Sequence, residues 1–459
     1  MDSRVRGNDK IRGVSMDFAV STNPAVQTQL DRLTMLSPGR DVLGLERIAA
    51  LLERLGNPQN ALPPVFHVSG TNGKGSTCAF LRGAIEAAGL TTHVYSSPHL
   101  VRFNERIRVA GKLIDNITLA ALLSKVLDQA QGLEASFFEV TTAVAFLAFA
   151  RTPADACIVE VGLGGRLDAT NVIAAPAICG IASLGIDHEG FLLVPEEGTP
   201  PAPLDRIAFE KAGIAKSGVR LVTQKYASSM ANTIATQATR TGAKLLARGE
   251  AWDAVIYEGR LHYRDEAGKL SLPLPRMTGA HQADNAALAI AMLRHQSAVT
   301  VPEAALSAAM EWTRWPARMQ LLGNGPLTDL LPDGSTIWLD GGHNPDAGSA
   351  IAKTLEDGPQ VHVIIGMLKN KDALGFLKPF ADNIATLHAV PIPGHEHYDP
   401  EYLCRLVQDS LGIAAAGPVD DVWMAMERIS ANDRPTNGLI CGSLYLAGEV
   451  LRANDQLPD

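Results

Sequence analysis

The chain has 459 residues, which at about 100–200 residues per domain corresponds to roughly two to four domains. Apolar residues make up 46% and charged residues 19% of the sequence, a balance typical of a globular protein. Acidic residues outnumber basic ones by 49 to 40. The resulting net charge of −9 argues against a general nucleic-acid-binding protein, which usually carries a basic surplus.

The cysteines and the uncharged stretches indicate the compartment. The 5 cysteines lie far apart and include no CxxC pair, so we expect neither a disulfide framework nor a cysteine-ligated metal site, and a reducing cytoplasm fits best. The uncharged stretch 172–186 contains proline and glycine and is shorter than the roughly 20 apolar residues of a membrane-spanning helix. We therefore expect no membrane segment.

The first predicted elements alternate between helices and short strands. Apolar residues recur at helical spacing over 43–55, and an apolar run at 65–68 predicts a buried strand. A glycine-rich turn leads into a helix predicted over 76–88, and another strand is predicted over 92–95. A strand, a glycine-rich loop and a helix in this order are typical of a nucleotide-binding α/β unit.

The alternation continues along the rest of the chain. A helix is predicted over 141–150, followed by strands over 156–161, 177–183 and 219–223. The stretch 312–325 is rich in proline and glycine and predicts a domain boundary. Beyond it, strands are predicted over 336–340, 361–366, 387–390 and 438–441. Alternating strands and helices favour mostly parallel sheets.

These elements predict an α/β fold with two domains. We expect a large P-loop domain with a mostly parallel sheet over 16–315 and a smaller, Rossmann-like α/β domain over 316–459. Residues 1–15 are polar, and we expect a disordered extension or a mis-assigned start ahead of Met16.

The strongest motif follows the first predicted strand. It consists of Gly70, Thr71, Asn72, Gly73, Lys74, Gly75, Ser76 and Thr77. Backbone N–H groups of such a loop cradle phosphates at a helix N-terminus, with Lys74 reaching the outer phosphates and Ser76 or Thr77 holding Mg²⁺. Gly75 separates the lysine from the hydroxyl residue, so the common P-loop pattern is met only loosely. The alternative is a glycine-rich turn without a ligand.

Further motifs occur in order along the chain. They are SSPHLVRFNERI from Ser96, FFEVTT from Phe137, EVGLGGRLDATN from Glu160, EKAGI from Glu210, DGGHNP from Asp340, GMLKNKD from Gly366 and CGS from Cys441. Together with GTNGKGST they resemble the folylpolyglutamate synthase/dihydrofolate synthase family of Mur-type ATP-dependent amide ligases. The resemblance spans about residues 40–450.

The resemblance implies a magnesium site with one or two ions. Its ligands would be Ser97, Glu160 and His188, and carboxylate and hydroxyl oxygens suit this hard cation. The alternatives are a turn hydroxyl at Ser97, a turn carboxylate at Glu160 and a structural histidine at His188. The family also implies that Lys211 is carbamylated near the metals, whereas a lysine on a helix is ordinarily solvated or ion-paired.

The resemblance assigns the remaining site residues to three substrates. The pteridine side would be formed by Phe137, Phe138, Asp168 and Ala169, although two phenylalanines also suit a core. Nucleotide contacts would come from Asn285, Arg318 and Asp340. The incoming glutamate would meet His343 and Ser443. The catalytic residues would be Lys74, Lys211, His188 and His343.

The implied activity is that of an ADP-forming ligase using ATP and Mg²⁺. It would add L-glutamate to dihydropteroate and to reduced folates through an acyl phosphate, acting as a cytoplasmic monomer without nucleic acid or membrane partners. A monofunctional folylpolyglutamate synthase or a related Mur-type amino-acid ligase is the alternative within the family. A P-loop switch or motor ATPase and a non-catalytic binding protein remain open outside it.

Two departures from the family pattern are present. The segment between His188 and Lys211 is longer than is common in relatives and contains several prolines, which leaves the geometry of that loop open. In the block around Arg318, Ala317 stands where relatives usually have glycine, which predicts a stiffer hinge.

Overall fold

The computed structural model describes residues 20–36, 43–413, 415–430 and 434–459. The extension predicted at 1–15 lies outside these residues. The first sheet contains β1 (Val65–Ser69), β2 (Thr92–Tyr95), β3 (Ile107–Val109), β4 (Lys112–Leu113), β5 (Ala156–Glu160), β6 (Ile178–Ile181), β7 (Arg220–Thr223) and β8 (Lys244–Ala247). Their order is β4-β3-β2-β5-β1-β6-β7-β8, and only the β2–β3 and β3–β4 pairs are antiparallel among these described strands.

Helices cover both faces of this sheet, which is why its central strands β1, β5 and β6 are buried throughout. The helices are α1 (Pro24–Leu36), α2 (Glu46–Arg54), α3 (Lys74–Ala87), α4 (Asn116–Ala130), α5 (Phe137–Phe149), α6 (Glu189–Leu192), α7 (Pro203–Ala212), α8 (Ser228–Thr241), α9 (Ala280–Arg294) and α10 (Glu303–Trp312). Helix α5 begins four residues before its predicted start, because Ser136 and Glu139 form a capping box.

A small antiparallel sheet was not predicted from the sequence. It consists of β9 (Trp252–Tyr257), β10 (Arg260–Asp265) and β11 (Gly268–Pro273), in the order β11-β10-β9. Trp252, Leu261 and Tyr263 are buried against the core formed with α3 and α9. The hairpin β9–β10 turns at Glu258 and Gly259, both with positive φ, as a tight two-residue turn requires.

The second parallel sheet begins after α10. Its strands are β12 (Gln320–Leu321), β13 (Thr336–Leu339), β14 (Val361–Ile365), β15 (Ile384–Ala389), β16 (Ala415–Pro418) and β17 (Asn437–Cys441). Their order is β12-β13-β17-β14-β15-β16, with β12 antiparallel to β13. Its helices are α11 (Pro345–Leu355), α12 (Ala373–Leu377), α13 (Pro400–Leu411), α14 (Val422–Ser430) and α15 (Leu444–Ala453). The α/β fold class is confirmed, while the domain division at 315/316 stays a prediction.

Two further sequence expectations concern cysteines and membranes. All five cysteines are buried and free. Among the helices that the structure describes, none is both long enough and apolar enough to cross a membrane.

Candidate active site

A cavity of about 830 Å³ lies between the two parallel sheets. Strands β5, β1 and β6 are neighbours in the first sheet, and the loops that follow their carboxyl ends form one side of the cavity. Ligands of open α/β sheets bind in such a crevice. Residues that follow β13 in the second sheet form the opposite side, so both halves of the chain contribute to one site.

The loop after β1 forms the nucleotide wall, by which we mean residues 70–77. Gly73 has a φ of 83° and precedes α3, whose N-terminus therefore points into the loop. The main chain is held in place because Thr71 N donates to Ser183 O at 2.7 Å. The ammonium group of Lys74 donates to the carbonyls of Gly70 and Thr71 at 3.0 and 3.2 Å. A positive group and a helix N-terminus together favour a phosphate.

Gly75 is the residue that departs from the common P-loop pattern, and packing explains why a glycine stands there. A Cβ atom at Gly75 would lie 2.6 Å from the indole nitrogen of Trp315. Trp315 belongs to the connection between α10 and the second sheet, so the nucleotide wall packs directly against the interdomain connection. Asn285 contacts the same wall, since its Oδ1 would be 2.3 Å from a Cβ at Gly73.

Oxygen atoms suited to a divalent cation lie beside the nucleotide wall. The hydroxyls of Ser76 and Thr77 are buried and have no hydrogen-bond partner among the described residues. Glu160 is buried, and Ser97 N donates to its Oε2 at 3.4 Å. Burial raises the pKa of Glu160, while the charge of Lys74 opposes this shift. This donor set fits a hard cation that also keeps phosphate and water ligands.

The predicted metal ligands do not form a conventional protein cage. No group of three His, Cys, Asp or Glu residues that could hold a metal ion occurs among the described residues. The nearest acidic partner of His188 in the structure is Asp187, whose Oδ2 lies 4.0 Å from His188 Nε2. The role of His188, Ser97 and Glu160 as metal ligands stays a prediction.

Lys211 lies behind the nucleotide wall and does not line the cavity. It is buried on α7, and its Nζ donates to Gly70 O at 2.9 Å. Burial, followed by repulsion from Lys74, lowers the pKa of Lys211 to about 7. The amine is therefore partly neutral near pH 7, which is the form that can react with carbon dioxide, and its carbamylation stays a prediction.

Asp187 connects the two halves of the chain. Lys371 Nζ donates to its Oδ1 at 2.5 Å, Asn344 Nδ2 donates to its Oδ2 at 3.3 Å, and His343 Nε2 lies 3.4 Å from Oδ2. Burial disfavours the Asp187 carboxylate, but the His343 hydrogen bond and neighbouring positive charges outweigh it and hold its pKa well below the usual range. Asn344 also exchanges two 3.1 Å amide hydrogen bonds with Asn72. Together these contacts close the second sheet onto the nucleotide wall.

Three of the site residues predicted for the second domain line the cavity, namely Arg318, Asp340 and His343. Both Asp340 oxygens accept 2.7 Å hydrogen bonds from backbone N–H groups, those of Met319 and Gly342. Ala317, the hinge departure, has a φ of 53°. Its methyl is buried in a conformation that side chains rarely adopt.

Ser443, like Gly70, Thr77 and Lys211, is a predicted site residue that does not line the cavity. It is buried, and its Oγ accepts a 3.1 Å hydrogen bond from Tyr445 N at the start of α15. The neighbouring Leu444 and Tyr445 line the cavity instead. Its role in binding glutamate stays a prediction, and the geometry shows a helix cap.

Aromatic and acidic residues form the acceptor wall, which we define by Phe137, Phe138, Asp168 and Ala169. Arg106 stacks over the Phe137 ring at 5.4 Å, and a Cβ at Gly162 would lie 2.4 Å from the Phe138 ring. Asp168 accepts hydrogen bonds from Leu163 N at 2.8 Å and Thr170 Oγ1 at 2.5 Å. The carboxylate therefore holds its own loop in shape while it lines the cavity.

Sequence reasoning missed several cavity residues. Arg106 and Lys371 lay within the quoted motifs and Asp187 precedes the predicted ligand His188, so their charges were the available signal. Trp315 does not line the cavity but packs against Gly75, and this contact had no local signal because it joins positions 240 residues apart.

Similarity to known proteins extends along almost the whole chain. No family model matches. The chain is 31% identical to the folylpolyglutamate synthase of Lacticaseibacillus casei over 88% of the chain and 92% of that protein. It is 33% identical to the dihydrofolate synthase/folylpolyglutamate synthase of Escherichia coli over 90% of the chain and 92% of that protein.

Solved structures extend the similarity to the fold. E. coli FolC in complex with DHPP and ADP superimposes with a TM-score of 0.82 at 31% identity, covering 95% of this chain and 98% of that one. A bifunctional folylpolyglutamate synthase/dihydrofolate synthase with Mn, AMPPNP and L-glutamate bound gives a TM-score of 0.79 at 29% identity, covering 94% and 98% of the two chains.

Proposed function

Since the chain belongs to the folylpolyglutamate synthase/dihydrofolate synthase family of Mur-type ligases, we propose that it adds L-glutamate both to dihydropteroate and to tetrahydrofolate or its polyglutamates. ATP is converted to ADP and phosphate in the same reaction. The observation that carries the proposal is that a phosphate-binding loop and an aromatic acceptor wall face one cavity, with Asp187 joining the two sheets beside them. The mixed names of the relatives, synthases of both kinds, support a bifunctional enzyme.

The chemistry begins with activation of the acceptor carboxylate. A carboxylate oxygen attacks the γ-phosphorus of ATP, and the bond between that phosphorus and the oxygen bridging to the β-phosphate breaks. ADP departs, and the acceptor is now an acyl phosphate. The glutamate amine then attacks the acyl carbon, loses a proton, and expels phosphate from the tetrahedral intermediate. Lys74 and the backbone N–H groups of the nucleotide wall offset the negative charge on the transferred phosphoryl group.

A divalent cation would supply further charge neutralisation at the phosphates. Ser76 or Thr77, Ser97, Glu160 and His188 are the residues that would hold it, as one or two Mg²⁺ ions. The relative with Mn and AMPPNP bound supports a divalent cation and a nucleoside triphosphate as ligands.

The second domain has a mechanical role in this scheme. An acyl phosphate hydrolyses in water, so the glutamate must reach it in a closed site. The contacts of Asp187 with Lys371, His343 and Asn344 provide that closure. A cytoplasmic monomer stays a prediction.

The activity is tested with purified protein, ATP, dihydropteroate and L-glutamate, with chromatography of the products. We expect dihydrofolate, and with tetrahydrofolate as acceptor we expect longer glutamate chains. Chain extension without dihydrofolate would restrict the protein to a folylpolyglutamate synthase. Dihydropteroate labelled with heavy oxygen in its carboxylate tests the acyl phosphate, because one labelled oxygen must then leave in the phosphate.

A further inference from the structure

The segment between Asp187 and α7 lies along the cavity beside the acceptor wall. Within it, Phe191 on α6 lines the same cavity as Phe138 and Ala169. The next residue, Leu192, is buried against the loop after β5, since a Cβ at Gly164 would lie 3.0 Å from its Cδ2. The segment thus adds an aromatic side chain to the acceptor wall.

Glu196 fastens this segment to the molecule. Its carboxylate accepts hydrogen bonds from Arg166 Nη1 and Nη2 at 3.1 and 2.5 Å, and from Arg206 Nη2 at 3.0 Å. Arg166 lies in the loop that continues into Asp168, and Arg206 lies on α7, which also carries Lys211. One carboxylate therefore joins three segments around the acceptor wall.

The other members of this cluster keep their partners without Glu196. Arg166 Nε and Nη2 donate to Glu210 at 3.1 and 3.0 Å, and Arg206 lies 3.0 Å from the same carboxylate. Glu210 and Arg206 are buried, whereas the Glu196 side chain is 46% exposed. Neutralising Glu196 removes these ion pairs from the segment and leaves a paired, buried cluster behind.

We propose that Phe191 is a specificity-determining residue for the acceptor substrate and that Glu196 is the positioning residue that holds it against the cavity. This proposal rests on the proposed function, because it assumes that the acceptor wall binds the flat pteridine ring. An aromatic side chain that lines the same cavity as Phe138 offers the pteridine ring a further apolar face, and a held segment presents that face without an ordering cost at each binding event.

The test compares Glu196→Gln with Glu197→Gln in steady-state assays on the full chain. Glu197 is also exposed, belongs to the same segment and takes part in none of the described ion pairs. We expect Glu196→Gln to raise the KM for dihydropteroate about fivefold, with the KM for ATP and the melting temperature unchanged. Glu197→Gln should match the wild type, and Glu196→Asp should recover part of the loss.

A second variant tests Phe191 itself. We expect Phe191→Ala to raise the same KM about tenfold and Phe191→Tyr to stay near the wild type. Equal acceptor KM values for Glu196→Gln, Glu197→Gln and wild type, or no effect of Phe191→Ala, would overturn the proposal. If the wild type forms no ligase product, the proposed function is wrong. That outcome is distinct from the two that would overturn the roles of Phe191 and Glu196.

Discussion

The nucleotide wall and the acceptor wall are built in different ways. The nucleotide wall is one continuous stretch, 70–77, shaped mainly by its own backbone and by the start of α3. The acceptor wall combines residues from α5 and from the loop after β5, and side-chain contacts over long sequence distances hold them in place. We therefore expect the wall made of backbone to serve every reaction that uses ATP and the wall assembled from side chains to select the acceptor.

Of the predictions that test this comparison, Lys74→Ala should have the largest effect. Loss of the ammonium group should lower kcat about 1,000-fold with either acceptor, because charge on the phosphoryl group develops in both reactions. Steady-state rates with dihydropteroate and tetrahydrofolate measure it, and Lys125→Ala, an exposed lysine on α4, is the control. A loss confined to one acceptor would contradict a general nucleotide wall.

Asp187→Asn should have the next largest effect. Removing the charge leaves Lys371 without its 2.5 Å partner and weakens the closure onto the nucleotide wall. We expect kcat/KM for glutamate to fall about 50-fold, as for other broken buried pairs. In a double-mutant cycle with Lys371→Ala, the loss of kcat/KM in the double variant should be much smaller than the sum of the two single losses. Additive losses would show that the pair does not act as a unit.

His67 lies beneath both walls and predicts a pH effect. Its Nε2 is 2.8 Å from Thr170 Oγ1, which donates to Asp168, and burial followed by the charge of Lys216 lowers the pKa of His67 to about 3. The unfolded chain therefore binds more protons than the folded one between about pH 3 and 6.5, so stability falls as pH drops through this window.

The variant His67→Gln removes this titration. From pH 7 to pH 5, the free energy of unfolding should fall about 2 kcal/mol less in the variant than in the wild type. Urea unfolding at the two pH values measures the difference. Equal pH dependence of the two proteins would mean that His67 titrates in the fold as it does in the unfolded chain.

Phe138→Ala should have the smallest effect and the most selective one. Loss of a ring that lies on Gly162 should raise the KM for dihydropteroate about tenfold and leave the KM for ATP unchanged. Phe146→Leu, a core change on the same helix, is the matched control. If the KM for dihydropteroate and the KM for ATP rose together, the two walls would not bind their ligands independently.

The sequence predicted the nucleotide wall better than the acceptor wall. Residues 70–77 could be predicted as a phosphate-binding loop because a glycine-rich turn between a strand and a helix is typical of such loops. The predicted strands lie within a few residues of observed ones. The short or peripheral strands β3, β4, β8, β12 and β16 and the sheet of β9–β11 were not predicted, although apolar residues alternate with exposed ones in β10 and β11. The contacts of Asp187, Trp315 and Glu196 join distant segments, and no local pattern encodes them.

ADP release measured with each substrate omitted in turn tests the central claim most directly. A ligase that activates the acceptor before glutamate arrives should release one ADP per dihydrofolate formed and almost none without dihydropteroate. Release at the full rate without dihydropteroate or glutamate would contradict it, and would instead support an ATPase that uses the nucleotide wall alone.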